Sequence, residues 1–168
     1  YLISKSIRAT GIKMALSGLG GDEVFAGYDV FKQLYKLNRN RFFWNISPTL
    51  FRKLLGATIN LVNPSIASNK IAQLLSLKNF NMSNAHAISR QVFNPKQLNE
   101  LLNIQNSNPP YLDFNIDHKH ILSKISIYEM RTYMQNTLLR DTDQMSMAHA
   151  LEVRVPFLDH KLVTYVLG

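Results

Sequence analysis

The sequence predicts a mostly α-helical chain that carries one edge of an α/β sheet. A short apolar run at residues 12–16 ends in glycines, as a buried strand does. Nearly every later segment has apolar residues at helical spacing, and three of these segments start with a polar residue followed by proline. With 168 residues, 46% of them hydrophobic, the chain is long enough to form an ordinary globular core.

The first elements predict the second half of an α/β unit. Apolar residues at helical spacing predict the end of a helix over residues 1–10, and Gly11 follows as a natural stop. The predicted strand at residues 12–16 then runs directly into Ser17. Such a strand needs a parallel neighbour and cover on both faces. No second strand is predicted after it.

The rest of the chain is predicted to be helical. Residues 29–41 carry an apolar stripe that predicts one helix, and residues 103–117 are polar and proline-rich, which predicts a loop. A long helix is expected from about His118. Three further helix starts are marked by a capping residue before proline: Ser47-Pro48, Asn63-Pro64 and Asn94-Pro95. The sequence therefore predicts a helical body that supplies its own core.

Composition excludes several classes of protein. The chain has no cysteine, so it forms no disulfide, thiolate metal site or cysteine nucleophile. No run of about 18 apolar residues could cross a bilayer, and the first residues are too polar for a signal peptide. We expect a cytoplasmic protein with no membrane partner. Because the chain starts without methionine, in what looks like a helix, we also expect it to be a piece of a larger protein.

Glycines are concentrated in the segment LSGLGGDEVFAGY, residues 16–28. Glycines after a strand let a phosphate or ribose approach unpaired backbone N–H groups, at the strand end where α/β sheets bind ligands. The carboxylates of Asp22 and Glu23 would repel a phosphate unless a cation such as Mg²⁺ lay between them. An Mg-nucleotide therefore explains the glycines and the carboxylates together. Four of the seven glycines lie here: Gly18, Gly20, Gly21 and Gly27.

The segment also has a purely structural interpretation. It matches neither G-x-G-x-x-G nor the pattern G-x-x-x-x-G-K-[ST], since no lysine follows the glycines. A tight turn with Asp22 as the N-cap of a helix would use the same residues, and the acidic pair would then favour the helix dipole. Residue chemistry alone leaves both interpretations open.

Two motifs, in the same order along the chain, resemble the asparagine synthetase family. LSGLGGDEVFAGY is similar to the second nucleotide motif of its C-terminal synthetase domain, and residues 138–163, LLRDTDQMSMAHALEVRVPFLDHKLV, are similar to the family's second signature. The resemblance implies that residues 1–168 form part of that domain. The implied fold is a mostly helical fragment of an α/β adenine-nucleotide α-hydrolase-like domain, the PP-loop ATP pyrophosphatase class.

The resemblance implies a carbon–nitrogen ligase that uses ATP and Mg²⁺. Such an enzyme adenylates a carboxylate, aspartate or an analogue, and glutamine-derived ammonia then forms the amide with release of AMP and pyrophosphate. Ser17 and Gly18 match positions that contact AMP, and Asp22 matches the acidic residue on Mg-pyrophosphate. The full set assigned to the nucleotide is Ser17, Gly18, Leu19, Gly20, Gly21 and Asp22. Four further residues are weighed for the site: Glu23, Arg140, Asp143 and Arg154.

These four residues each have an ordinary structural alternative. Glu23 is interpreted as structural or as supporting its neighbour. Arg140 and Arg154 could meet a phosphate, but arginine also suits buried carboxylate pairs. Asp143 lies two residues from Asp141, and on a helix the two side chains point about 200° apart, so a shared metal would require a loop.

The chain departs from the family pattern in three ways. The Ser-Gly-Gly-x-Asp-Ser pyrophosphate loop and the nucleophilic cysteine of the glutaminase domain are absent, so the isolated chain is expected to be inactive. Leu19 stands where many members carry a glutamate thought to assist amide formation, and leucine transfers no proton. No catalytic residue is therefore assigned. Asp141 and Gln144 stand where many members have lysine and arginine, which suggests a different carboxylate acceptor.

Partners follow from the same resemblance and from the charge. We expect ATP and a carboxylate acceptor as ligands and a glutaminase domain in the same parent chain, and a homodimer is left open. The net charge of +8 also favours nucleic acid or anionic lipid. Residues 31–53 interleave basic and aromatic side chains, so the alternative function is a non-catalytic basic helical module that binds nucleic acid or a membrane surface. Ordinary amphipathic helices explain the same pattern, and nucleic acid is not favoured.

Overall fold

The structure is a computed structural model, and it describes residues 1–103, 116 and 120–168. Most of the predicted loop at residues 103–117 and the predicted helix start at His118 lie outside the described residues. The described chain is mostly helical with one short two-stranded parallel sheet, which agrees with the predicted helical content.

Helices make up most of the described chain. The helices are α1 (Leu2–Ala9), α2 (Gly21–Val24), α3 (Asp29–Arg39), α4 (Phe42–Ile46), α5 (Thr49–Val62), α6 (Ile66–Ser76), α7 (Met82–Arg90), α8 (Pro95–Leu102), α9 (Ile121–Glu129), α10 (Arg140–Met147) and α11 (His160–Leu167). The strands are β1 (Met14–Leu16) and β2 (Glu152–Arg154). A π-helix, Met130–Leu139, joins α9 to α10, and a 3₁₀-helix, Pro156–Leu158, precedes α11.

The chain forms two compact units. Unit 1 contains Tyr1–Phe31 and Ile116–Gly168, so it is built from both ends of the chain. Unit 2 contains Lys32–Asn115 and is continuous in sequence. Among the described residues, the buried apolar side chains of unit 1 are Val24, Phe31, Ile125, Tyr128, Met134 and Leu151, and those of unit 2 are Leu34, Trp44, Ala85 and Ile88.

The sheet corrects the prediction of a single strand. β1 lies within the predicted segment and pairs in parallel with β2, with Ala15 opposite Val153. The pairing continues at each end, because Glu152 N donates to Lys13 O (2.9 Å) and Ser17 N donates to Arg154 O (2.8 Å). β2 gave no strand signal because it is three residues long and two of them are charged and exposed. The strand predicted to need a parallel partner therefore has one from the second motif.

The predicted helix boundaries hold in part. Asn94 caps α8 as predicted, since its side chain accepts from Gln97 N. α6 starts two residues later than expected and is capped by Ser65, which accepts from Ser68 N. α5 begins after Pro48 without a side-chain cap, because the Ser47 hydroxyl donates to Phe43 O of α4. One of the three predicted caps is therefore present. Ser65 caps α6 in place of Asn63, and α5 has no side-chain cap.

The second motif lies at the end of one long helical run in unit 1. The run starts as α9, passes through ten residues of π-helix and continues as α10. π-helical segments are rare and usually short, and they occur frequently at functional sites. The predicted long helix is therefore present, with a change of winding that the apolar stripe did not reveal.

No helix in the described part of the chain is both long and apolar enough to span a bilayer.

Candidate nucleotide site at the end of strand β1

The glycine segment forms a tight loop between β1 and α2. Ser17 N is held by Arg154 O of β2, and Gly21 N donates to Gly18 O (3.2 Å), which closes the turn. Gly20 has φ +91° and occupies the N-cap position of α2. A side chain at Gly20 would also overlap the Leu158 side chain. Conformation and close packing both require glycine at this position.

The loop opens onto a cleft of about 560 Å³ that lies within unit 1. Its volume is in the usual range for small-molecule sites. Ser17 and Gly18 line it, together with residues of α1, α10 and β2. The other lining residues are mainly apolar: Ile3, Ile7, Ala15, Leu16, Met145, Leu151 and Val153, with Tyr1, Ser4, Asp141, Thr142 and Ser146. The cleft therefore offers apolar surface for a planar ring and polar groups for an anion.

Ser17 and Gly18 fit the phosphate or ribose of a nucleotide. A Cβ at Gly18 would meet nothing within 4 Å, so the backbone there faces open space. Among the described residues, Gly18 N–H has no protein acceptor. The Ser17 hydroxyl accepts a hydrogen bond from Leu19 N (3.3 Å), and its proton remains available to a ligand. Free donors at the carboxyl end of a parallel strand form the usual anion site of such sheets.

Asp22 fits a cation ligand better than a cap. It is the second residue of α2, and no side chain caps this helix, so the interpretation of Asp22 as an N-cap is wrong. Its carboxylate is exposed and has no hydrogen bond or ion pair within the described chain. The carboxylate packs against Gly27, where a side chain would overlap it. A free carboxylate suits Mg²⁺, which is usually bound by few protein ligands.

Glu23 is buried and takes part in a polar contact of its own. It is 1% exposed, and Tyr28 Oη donates to Glu23 Oε1 (3.0 Å). Burial, this hydrogen bond and the nearby charges of Glu23 and Asp22 raise the pKa of Tyr28 well above its usual range. The Tyr28 ring also meets Tyr133 of the π-helix edge-on. Glu23 therefore stabilises the loop from its buried side, while the neighbouring Asp22 is exposed to solvent.

The remaining candidates lie outside the cleft wall. Arg154 is on β2 next to the loop, and its Nε donates to Glu152 Oε1 (2.7 Å) in an exposed ion pair. Arg140 and Asp143 are exposed residues of α10, and neither lines the cleft. In the described chain, no group of three or more carboxylate or histidine side chains is arranged to hold a metal. Of the residues assigned to the nucleotide, the structure thus brings Ser17 and Gly18 to the cleft. The other assigned residues are not among its lining residues: Leu19, Gly20, Gly21, Asp22, Glu23, Arg140, Asp143 and Arg154.

Sequence reasoning missed part of the cleft. Asp141, Thr142 and Met145 line it, and none of the three was assigned to the nucleotide from the sequence. All three lie on one face of α10, at the i, i+1, i+4 spacing that a helix brings together. That spacing was visible in the sequence. What the pattern did not reveal was the direction in which the face points.

Comparison with known proteins decides the family. The family model described as asparagine synthase matches residues 1–168, the whole chain. The chain belongs to the asparagine synthase family. Both motifs that carried the resemblance therefore lie inside a match that also covers the intervening helices.

Similarity to individual members of the asparagine synthase family is low over the full chain. Asparagine synthetase [glutamine-hydrolyzing] 1 of Bacillus subtilis is 28% identical over 95% of the chain and 25% of its own length. Amidase chyE of Penicillium rubens is 26% identical over 98% of the chain and 27% of its own length. Asparagine synthetase B of Escherichia coli is 64% identical over 31 residues, which cover 18% of the chain and 6% of that protein.

The chain spans about a quarter of the length of the first two relatives. No solved structure matches the chain significantly.

Proposed function

We propose that residues 1–168 are part of the synthetase domain of an ATP-dependent amidotransferase. In this proposal the parent protein adenylates a carboxylate, and ammonia derived from glutamine converts the adenylate to an amide. AMP and pyrophosphate are released. The family match and the glutamine-hydrolysing relatives support this class of reaction. The domain would belong to the PP-loop ATP pyrophosphatase class, of which this chain carries the β1 loop and the second signature.

One observation carries the proposal: free backbone and hydroxyl donors at the end of β1 face a nucleotide-sized cleft. Gly18 N–H and the Ser17 hydroxyl are available at the cleft, and helix α10, within the second motif, also lines it. The two family motifs thus meet at one site. Such fixed donors stabilise charge that develops on phosphate oxygens without reorganising.

Each residue of the glycine loop has a defined role in this proposal. Ser17 and Gly18 bind the α-phosphate and ribose side of ATP, while Gly20 and Gly21 keep the loop close to the strand. Leu19 contributes its backbone to the loop. Asp22 holds Mg²⁺, which when bound neutralises the phosphate charge and favours departure of pyrophosphate. Glu23 and Tyr28 hold α2 so that the Asp22 carboxylate keeps its position.

The acceptor is proposed to be aspartate or another carboxylate, such as one on a sugar or peptide. Leu19 supplies no proton-transfer group, so amide formation needs a group from outside the loop or proceeds with ammonia alone. A glutaminase domain of the parent protein would supply the ammonia. The 168-residue chain by itself is proposed to be inactive.

The test is nucleotide binding and adenylate formation by the full-length protein with Asp22→Asn. We expect a loss of MgATP affinity of about tenfold or more, because the variant removes a charged metal ligand. Glu100→Gln is the matched control: it removes one negative charge from an exposed residue of α8, and we expect it to bind MgATP like the wild type. Affinity is measured by isothermal titration calorimetry, and adenylate by pyrophosphate release. Normal binding and unchanged adenylate formation in Asp22→Asn would overturn the assignment.

A further inference from the structure

The positive charge of the chain is concentrated in one stretch that has no acidic residue. Residues 30–99 contain ten lysine and arginine residues and no aspartate or glutamate, whereas the rest of the chain has nine basic and eleven acidic residues. The net charge of +8 therefore comes entirely from this stretch, nearly all of which belongs to unit 2. Such a one-sided charge produces a positive field that attracts an anionic partner.

The basic side chains on either side of helix α4 are exposed and have no carboxylate partner. Lys36 and Arg39 lie in the last turn of α3, Arg41 directly precedes α4, and Lys53 is on α5. All four are exposed, and none forms an ion pair within the described residues. Their charge is not neutralised within the described chain and is available to a partner.

Next to these charges, helices α4 and α5 expose large apolar side chains. Leu50, Leu54 and Leu61 lie on the face of α5 opposite the buried Arg52 and Gly56, and each is at least 60% exposed. Other apolar side chains of these two fully described helices are also more than half exposed: Phe42, Ile46, Phe51 and Val62. We refer to these apolar residues and the four basic ones as the α4–α5 surface.

A bilayer that contains anionic lipids matches both properties of this surface. Its headgroups are negatively charged, and each lysine or arginine near them contributes about 1 kcal/mol to binding. Apolar side chains that reach the boundary with the acyl chains are removed from water, which adds to the electrostatic attraction. Surface helices that bind membranes combine the same residue types, lysine and arginine with phenylalanine and leucine.

Two other partners fit the surface less well. Single-stranded nucleic acid stacks its bases on aromatic rings, whereas most of the exposed apolar residues here are aliphatic. A second copy of the chain buries the same apolar residues but brings like charges together. An anionic bilayer buries the apolar residues and also neutralises the charges.

We propose that the α4–α5 surface binds the surface of a membrane that contains anionic lipids and holds the parent protein there. The expectation of no membrane partner came from the lack of a spanning segment, and attachment to one membrane surface needs no such segment. The inference is independent of the proposed function, because no residue of the α4–α5 surface belongs to the glycine segment or lines the cleft.

The test is flotation of the full-length protein with phosphatidylcholine vesicles that contain or lack phosphatidylglycerol. We expect binding to the anionic vesicles only, and weaker binding at high salt. Leu50→Gln/Leu54→Gln removes apolar area without a change of charge, and we expect it to lower the affinity about tenfold or more. The matched control, Leu101→Gln/Leu102→Gln, makes the same change at exposed residues of α8 and should bind like the wild type.

A second pair of variants tests the charges. Arg39→Gln/Arg41→Gln/Lys53→Gln is expected to lower the affinity for anionic vesicles about a hundredfold. The control removes the same charge from exposed residues of unit 1, with a far smaller effect expected: Lys5→Gln/Lys13→Gln/Lys161→Gln. All substituted residues are exposed and glutamine favours helix, so the variants are expected to fold, which circular dichroism checks.

Several outcomes would overturn the inference. If the full-length protein binds no anionic vesicles, another occupant covers the surface; sedimentation of a dimer that Leu50→Gln/Leu54→Gln dissociates would identify a second copy, and binding of polyuridine RNA would identify nucleic acid. Equal effects of a test variant and its control would attribute vesicle binding to general charge or apolarity. MgATP affinity is expected to be unchanged in every variant, so loss of vesicle binding leaves the proposed function standing.

Discussion

At the scale of single residues, two adjacent carboxylates of the glycine segment have opposite environments. Asp22 faces solvent, whereas Glu23 is buried and accepts from Tyr28. A buried carboxylate without hydrogen bonds is costly, so the tyrosine hydroxyl is needed to keep Glu23 inside. The position of the Asp22 carboxylate therefore depends on a contact made by the neighbouring residue.

Tyr28→Phe is expected to destabilise the protein by about 1–3 kcal/mol, because it leaves the Glu23 carboxylate buried with one hydrogen bond fewer. The free energy of unfolding is measured by urea denaturation followed by circular dichroism. Tyr165→Phe makes the same chemical change at a residue that is 87% exposed, and it should have little effect. Equal stabilities for the two variants would contradict the role of the Glu23–Tyr28 bond.

The same tyrosine predicts a pH dependence at the alkaline end. The pKa of Tyr28 is raised in the folded state by burial first and then by Glu23, so folding favours the protonated phenol. The stabilisation that Tyr28 contributes to the folded state is complete below the unfolded pKa of about 10, and it falls as the pH rises above that value. We expect the difference in unfolding free energy between wild type and Tyr28→Phe to shrink between about pH 8 and about pH 11. A difference that grows over this interval would contradict a raised pKa of Tyr28 in the folded state.

At the scale of elements, helices α5 and α6 pack so closely that one position requires glycine. Gly56 is buried, and a Cβ built there would lie 2.9 Å from the Cα of Ala72. Backbone of a neighbouring helix cannot move aside as a flexible side chain can. This crossing organises unit 2, because the Trp44 ring and the buried Arg52 side chain also contact residues at or just beyond the end of α6.

Gly56→Ala is expected to destabilise unit 2 by about 1–3 kcal/mol, because the helices must separate. Helix propensity alone predicts the opposite sign, a gain of about 1 kcal/mol. Urea denaturation followed by Trp44 fluorescence measures the effect. Thr58→Ala on the exposed side of α5 raises propensity without close packing, so it should be neutral or slightly stabilising. A stabilised Gly56→Ala would show that the crossing has room for a methyl group.

The elements also show which features a single sequence can predict. β1, α1 and the cap of α8 were predicted because each has a local signal: an apolar run, an apolar stripe with a following glycine, and Asn94 before proline. β2 was missed because its strand character comes from pairing with β1, far away in sequence, and not from its own residues. The same applies to the cleft, where the loop was predicted but the face of α10 that also lines it was not.

At the scale of the whole molecule, helix α5 is apolar on nearly every side. The face around Arg52 and Gly56 is buried, yet Leu50, Leu54 and Leu61 on the opposite face are 71%, 60% and 82% exposed. A helix that is hydrophobic all round is usually covered. The exposed residues of α4 and α5 extend this surface: Phe42, Ile46, Phe51, Leu55 and Val62.

We expect the 168-residue chain on its own to self-associate through this surface. The double variant Leu50→Glu/Leu54→Glu should reduce the association, because it places charges on the exposed face without touching the buried one. Sedimentation velocity over a range of concentrations measures the change. Tyr165→Glu, another exposed apolar residue changed to the same charge, is the control. Equal reduction by both would attribute the effect to net charge and not to α5.

The β1–β2 pair also determines the order in which the protein can form during synthesis. The two strands are separated by residues 17–151, so closing this loop costs on the order of 4 kcal/mol of chain entropy. Unit 2 emerges from the ribosome whole, whereas unit 1 must wait for its last residues. Trp44, the one tryptophan of the chain, lies in unit 2 and reports on that unit alone. A chain that stops at residue 150 lacks β2, so it should keep its native Trp44 fluorescence although the cleft beside Ser17 and Gly18 cannot form.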